Sequence, residues 1–216
     1  MTAHFITATG TEIGKTYVTA MLCRELRRND KNVRALKPVL SGYEPELAGE
    51  CDSGLILAAL GQDVSDASIA EITPWRFAAP LSPDMAAARE GRAIEFSSLL
   101  EFCQPGDEDF LLVEGVGGAM VPLTERETVL DWVAALGYPA LVVAGSYLGT
   151  ISHTLTTVRA MRACGVTVSA VVVSESEVSP VPIAETVEAI SRFLDDVAVV
   201  AVPRGGKVDL LPYIHS

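Results

Sequence analysis

The sequence predicts a doubly wound α/β fold, a mainly parallel sheet flanked by helices. Three observations predict it. Short apolar runs alternate with helical patterns along the whole chain, the βαβα order of such folds. Most of these runs are continuously apolar rather than alternating, as strands buried on both faces require. Most connections between them are short. In a fold of this kind ligands bind beyond the carboxyl ends of the strands, so the residue after each strand is the one to read.

The first strand, 4–8, contains Phe5-Ile6-Thr7-Ala8 and breaks into the turn Thr9-Gly10-Thr11-Glu12-Ile13-Gly14-Lys15-Thr16. A helix over 15–29 follows, marked by Val18, Met21, Leu22 and Leu26 at helical spacing. A strand, a glycine turn ending in Gly-Lys-Thr and a helix together form a phosphate cradle. Backbone N–H groups from Glu12, Ile13 and Gly14 and the positive helix end face the anion. Lys15 reaches the β/γ-phosphates and the Thr16 hydroxyl ligates Mg²⁺. The fold is therefore of the P-loop NTPase type. Gly10 and Gly14 enclose three residues where the common spacing has four, and Ala8 stands where an earlier glycine could have been.

The second strand, 33–37, ends at Lys37-Pro38-Val39-Leu40-Ser41-Gly42. Proline disfavours helix at Lys37 and holds the lysine at the strand end. It is either a surface lysine at a strand exit or a second cation for an anionic substrate. Segment 38–52 is a long connection, followed by a helix over 53–61. Asp52 opens that helix either as its N-cap or as a Mg²⁺ carboxylate. The Pro-rich stretch 73–84 is another long connection, of the kind that carries function or covers a site. Helices are expected at 83–90 and 95–103.

The third strand, 109–113, leads into Val113-Glu114-Gly115-Val116-Gly117-Gly118. An acid after four apolar residues is a Walker B-like metal ligand, with Glu114 in place of the usual Asp, and the glycines let backbone approach a ligand closely. Mg²⁺ takes one or two carboxylates plus phosphate oxygens, so Thr16, Asp52 and Glu114 form a plausible set. After a helix over 127–136 and a strand over 140–144 comes Ala144-Gly145-Ser146-Tyr147-Leu148-Gly149-Thr150-Ile151-Ser152-His153. A helix over 150–164 starts there, and its free N–H groups would hold a carboxylate or phosphate. His153 reads as structural, and with only His4 and His215 besides, a histidine zinc site is not expected. A strand over 167–173, a helix over 181–195 and a strand over 197–202 complete the pattern.

At 216 residues and 49% hydrophobic, the chain is expected to form a single domain, 1–216. A net charge of −12 argues against nucleic acid or an anionic membrane as partner. Cys23, Cys51, Cys103 and Cys164 lie far apart without a C-x-x-C pair, which suits a reducing cytoplasm, and buried small hydrophobe is the expected role. No signal peptide opens the chain, and no run approaches the roughly 18 apolar residues of a membrane span. A cytoplasmic location is expected.

With these residues laid out, the chain resembles the dethiobiotin synthetase family over nearly its whole length. The resemblance rests on Thr11–Thr16, Lys37-Pro38-Val39 with Ser41-Gly42, and Phe77-Ala78-Ala79-Pro80 followed by Ser82-Pro83. It continues through Val113–Gly118, Asp131-Trp132-Val133 and Leu148–His153. It implies a homodimer that converts 7,8-diaminononanoate, CO₂ and MgATP to dethiobiotin, ADP and phosphate. One amine captures CO₂ as a carbamate, ATP phosphorylates the carbamate, and the second amine closes the ureido ring. Lys15 and Lys37 supply compensating charge, so catalysis is mainly positioning and electrostatics. By resemblance Thr11 and Ser41 hydrogen-bond the carbamate or diamine, and Glu12 lies beside the loop and nucleotide. The substrate carboxylate is expected on the N–H groups of Gly149, Thr150, Ile151 and Ser152, at the subunit interface. Ser174 stands where the family often has an Asn that reads adenine, and Pro203-Arg204-Gly205 is where the family wraps the base. A single hydroxyl cannot make the paired contact of an amide, so other nucleoside triphosphates are candidates too.

Two other classes are weighed. Partitioning-type nucleotide-switch ATPases share this fold, but carry a signature lysine early in the loop where this chain has Gly10. The synthetase domain of a cobalamin-pathway amidotransferase would continue into a glutaminase region.

Overall fold

The computed structural model describes residues 1–214; His215 lies outside them. The chain runs β1 (Thr2–Ala8), α1 (Lys15–Arg28), β2 (Val33–Leu36), β3 (Val39–Ser41), α2 (Asp52–Leu60), α3 (Asp66–Ile72) and β4 (Trp75–Phe77). It continues α4 (Pro83–Arg89), α5 (Phe96–Phe102), β5 (Phe110–Glu114), α6 (Val129–Leu136) and β6 (Ala140–Ala144). It ends with α7 (Thr150–Ala163), β7 (Val168–Ser174), α8 (Ile183–Ser191) and β8 (Ala198–Val202). Short 3₁₀ turns cover Pro45–Leu47 and Leu211–Tyr213.

Six strands form one sheet in the order β2-β5-β1-β6-β7-β8, and every neighbouring pair is parallel. Strands β5 and β6 are buried at every residue, which explains their unbroken apolar character. Phe5 of β1 meets Trp132 of α6 edge-on, with ring centroids 4.8 Å apart. Asp131, beside that tryptophan, closes a capping box with Thr128 at the start of α6. That pairing holds the Asp131 carboxyl below its usual range. Among the described residues no helix is long and apolar enough to cross a membrane.

The two long connections differ from expectation. Segment 38–52 contains β3 and stretch 73–84 contains β4, and the two pair as a separate parallel sheet. Tyr43 N–H donates to Phe77 O and Gly42 N–H to Ala79 O, extending the pairing beyond Ser41. Helix α3 lies between them, opened by a Ser65–Ser68 capping box. Helix α8 begins later than expected, because Pro182 is its N-cap and restricts Val181 to extended backbone.

The cysteines do not share one role. Cys23 and Cys103 are buried, and burial pushes each thiol up to about 12. Cys51 Sγ instead caps α2, accepting from Gly54 N–H, and Cys164 is exposed. A thiol titration of the native protein should therefore modify Cys164 first, with Cys23 and Cys103 silent until denaturant is added. Rapid native reaction of all four thiols would contradict this packing.

Candidate functional site

Apart from Ser41 and Asp52, the predicted site residues follow or end strands of the large sheet at its carboxyl edge, and the strand order decides which of them meet. Lys37 follows β2, Glu114 ends β5 and the glycine turn follows β1. These strands are adjacent. On the other side of β1, Ser174 ends β7 and Pro203 follows β8. Lys37 and Glu114 thus meet beside the glycine turn, while the residues assigned to the base occupy the far half of the edge.

The turn is shaped by backbone conformations that side chains resist. Gly14 is the N-cap of α1 at φ +96°, and Glu12 also lies in the left-handed region at φ +57°. The turn packs on the second glycine run, since a Cβ at Gly118 would stand 3.2 Å from the backbone of Gly10. Ala119 N–H donates to Ala8 O at 2.9 Å and Thr9 N–H to Val143 O at 2.9 Å. Lys15 is buried yet forms no ion pair with any described residue. Burial first, and then the charge of Lys37, push its pKa down to about 8.

Lys37 is only 1% exposed, and its ammonium meets three acceptors. They are Glu114 Oε1 at 2.8 Å, Asp52 Oδ2 at 2.9 Å and Gly115 O at 2.8 Å. Three protons meet three acceptors, so the group is saturated. Burial opposes its charge, but the two carboxylates outweigh it and hold its pKa above the usual lysine range. For Asp52 burial likewise opposes the charge, and Lys37 prevails, keeping the carboxyl below its usual range. Asp52 is the first residue of α2 rather than its N-cap, since Cys51 takes that place. The surface-lysine reading of Lys37 is excluded by its burial.

Glu114 is fully buried and accepts from Thr16 Oγ1 at 2.9 Å as well as from Lys37. Asp52 and Glu114 therefore already hold a cation, the ammonium of Lys37, and Thr16 bonds one of those two carboxylates. All their donor atoms are hard oxygens, and the two carboxylates are already drawn to positive charge. No group of three or more His, Cys, Asp or Glu exists among the described residues that could cage a metal. Two carboxylates and a hydroxyl leave coordination positions for phosphate oxygens and water, the arrangement that suits Mg²⁺.

Lys15, Thr16, Lys37 and Asp52 line a cavity of about 710 Å³ together with Thr11, Ser41, Leu81 and Val121, and the buried Glu114 lies behind Thr16 and Lys37. Ser41 Oγ is buried there without a hydrogen-bond partner among the described residues. The β3–β4 sheet carries Ser41, and Pro80 closes against Gly42, where a Cβ would lie 3.2 Å from it. Gly149 to Ser152 do not line this cavity. Gly149 caps α7 at φ +99° with no side-chain cap, so the first N–H groups of that helix have no side-chain cap bond. His153 Nδ1 pairs with the Tyr147 hydroxyl at 2.9 Å, a structural contact.

Around the far half of the edge, Ser174 lies directly against the glycine turn. A Cβ at Gly14 would stand 2.5 Å from its Oγ. The Pro203–Gly206 turn is pinned at Arg204, whose N–H donates to Glu175 Oε2 at 2.8 Å, and at Gly206, whose carbonyl accepts from Tyr17 Oη at 3.3 Å. Sequence reasoning missed Glu175 and Tyr17, although each adjoins a predicted residue. It also missed Thr19, whose position four residues after Lys15 on one helix face was the available signal.

A parallel sheet in this order, a glycine turn running into Gly-Lys-Thr, and an acid at the end of the neighbouring strand define a P-loop nucleotide-binding protein. A family profile described as an AAA domain matches residues 2–214. The ATP-dependent dethiobiotin synthetase BioD of Acidiphilium cryptum is 54% identical over 198 residues, 90% of this chain and 89% of that one. Its counterpart from Methylobacterium nodulans is 47% identical over 215 residues, 95% of each chain. The chain belongs to the ATP-dependent dethiobiotin synthetase family. Among solved structures, a ParA family ATPase from Chlorobium tepidum has a TM-score of 0.55 at 12% identity, covering 98% of this chain and 87% of that one. The septum site-determining protein MinD from Pyrococcus horikoshii, complexed with Mg-ADP, has a TM-score of 0.54 at 15% identity, with 93% and 81% covered. These likenesses concern the fold alone.

Proposed function

We propose that the protein is a cytoplasmic homodimeric dethiobiotin synthetase, each chain one domain, that closes the ureido ring of dethiobiotin from 7,8-diaminononanoate, CO₂ and MgATP. The observation that carries this reading is the meeting of Lys37, Asp52 and Thr16 at the cavity that holds the Ser41 hydroxyl, with Glu114 buried behind Lys37 and Thr16. One amine of the substrate attacks CO₂ and loses a proton, giving a carbamate. A carbamate oxygen attacks the γ-phosphorus and ADP leaves. The second amine then attacks the carbonyl carbon, phosphate leaves and the ring closes.

Two anions must be brought together in this chemistry. The N–H groups of Glu12 to Thr16 and the Lys15 ammonium hold the phosphates. Thr11 and Ser41 hydrogen-bond the carbamate or diamine. Lys37 compensates the charge that gathers between carbamate and phosphoryl group, and to do so it must release at least one of its three present acceptors. Mg²⁺ held by Thr16, Asp52 and Glu114 would supply further charge neutralisation on the phosphates. Because Gly149 to Ser152 do not line this chain's cavity, a second copy is proposed to bring them to the substrate carboxylate.

The base is assigned to Ser174 and to Pro203, Arg204 and Gly205. One hydroxyl offers a single donor, and a single neutral hydrogen bond is worth about 0.5–1.5 kcal/mol. Values of kcat/KM for CTP and GTP are therefore expected within about tenfold of that for ATP. A much larger preference for ATP would mean that other groups read the base.

The decisive experiment is phosphate release from MgATP and bicarbonate, with and without 7,8-diaminononanoate, with the product identified by mass. Release that depends on the diamine and yields dethiobiotin would support the reading. Release that ignores the diamine would sink it and favour a nucleotide switch acting through protein partners.

A further inference from the structure

Glu114 is a buried carboxylate whose two oxygens face different surroundings. Oε1 meets Thr16 Oγ1 at 2.9 Å and Lys37 Nζ at 2.8 Å, two residues that line the cavity. Oε2 meets Thr19 Oγ1 at 2.5 Å, toward helix α1. Thr19 is fully buried, and its hydroxyl also lies 3.1 Å from the carbonyl of Lys15. That second contact is the ordinary back-bond of a helical threonine to the residue four before it. A hydroxyl has one proton, however, and a charged acceptor at the shorter distance takes it. The hydroxyl therefore serves the carboxylate before it serves the helix.

Without that hydroxyl, Oε2 would have no hydrogen-bond donor among the described residues. A buried anionic oxygen left bare is costly, so the carboxylate would turn to share the donors now on Oε1. Its plane, and the oxygen it turns to Thr16 and Lys37, would no longer be fixed. The distinction matters for a cation site. Mg²⁺ demands near-ideal octahedral geometry, whereas Ca²⁺ accepts a carboxylate with one oxygen or both.

We infer that Thr19 is a positioning residue for the cation site, holding Glu114 Oε2 so that Oε1 alone is presented to the metal. The inference rests on the reading of Glu114 as a Mg²⁺ ligand. Thr19 touches neither nucleotide nor substrate in this arrangement and acts only through Glu114. Partners that orient a metal ligand typically cost roughly ten- to a hundredfold in metal affinity when removed.

The test is calorimetric titration of ADP in Mg²⁺, in Ca²⁺ and in EDTA, on the full chain and on Thr19→Val, Thr19→Ser and Glu114→Gln. Melting temperatures are compared first. Should Thr19→Val not fold, Thr19→Ala removes the hydroxyl without placing a methyl in its space and carries the same test. In the unaltered protein Mg²⁺ should strengthen ADP binding, and Glu114→Gln should lose most of that gain. Thr19→Val should lose roughly tenfold of it, with ADP affinity in EDTA unchanged and the preference for Mg²⁺ over Ca²⁺ reduced. Thr19→Ser, which keeps the hydroxyl, should restore both. A full Mg²⁺ gain and selectivity in Thr19→Val, beside a loss in Glu114→Gln, would overturn the role of Thr19 and leave the metal reading standing. Equal gains in the unaltered protein and Glu114→Gln would overturn the metal reading, and this inference with it.

Discussion

Lys37→Ala should still bind nucleotide while turnover falls by roughly two to three orders of magnitude. The proposed phosphate grip is separate from Lys37, being assigned to backbone N–H groups and Lys15. The group that meets Asp52, Glu114 and the Gly115 carbonyl is lost, however, and with it the cation that would offset carbamate against phosphoryl group. Removing one partner of a buried pair costs about 3–5 kcal/mol, because the other charge is left uncompensated. The nucleotide-free variant should therefore melt at a lower temperature, and MgADP should recover part of the difference by returning a cation to the two carboxylates. Lys37→Arg would not restore the rate, since a planar fork cannot replace an ammonium among three converging acceptors. Steady-state rates, calorimetric MgADP affinity and melting curves together check this. An unchanged rate in Lys37→Ala would remove the residue from the mechanism.

Gly14→Ala is expected to weaken nucleotide binding by about ten- to a hundredfold. At φ +96° any side chain strains the backbone, and strained positions of this kind cost about 1–3 kcal/mol each. The added Cβ also meets Ser174, at 2.5 Å from Oγ and 3.1 Å from Cβ. The serine hydroxyl can rotate away, but its Cβ cannot leave without moving the end of β7. Either response displaces the N–H groups that face the phosphates or shifts the residue assigned to the base. Adding Ser174→Gly, which removes that Cβ, separates the two causes when affinity is compared with Ser174→Gly alone. If the double variant regains affinity, the contact dominates; if not, the backbone angle does. Wild-type affinity in Gly14→Ala, measured in Mg²⁺ and in EDTA, would show that the nucleotide does not use this turn.

The sheet was legible because burial on both faces leaves each strand an unbroken apolar run, and the site because such folds bind ligands where strands end. Lys37, Glu114 and the glycine turn all follow that rule. Strands β3 and β4 escaped because each has three residues, too few for any period, and their pairing partners lie more than thirty residues apart. Helix α3 is seven residues long and opens on Ser65 and Ser68 rather than on a Ser with a Glu or Gln. Cys51 as the cap of α2 ran against the preference for oxygen side chains there, which drew attention to Asp52 instead. Thr19 looked like one more helical residue, and only the position of Glu114 gives its hydroxyl a second meaning. The distance of Gly149 to Ser152 from the cavity is a property of one chain that no single-chain pattern records.

Strand β1 sits in the middle of the sheet, between β5 and β6, although it ends at Ala8 and they begin at Phe110 and Ala140. Its partners are residues 110–114 and 140–144. At ordinary rates of synthesis the wait between them is on the order of ten seconds. Throughout that interval Phe5 and Ile6 have no neighbouring strand, and the turn at 9–14 has no frame to hold its shape. Parallel pairing over such a separation is also intrinsically slow. The segment assigned to the nucleotide is thus synthesised well before the strands that frame it and takes form only after them. A nascent chain halted before residue 140 would carry the whole glycine turn and still have no nucleotide site.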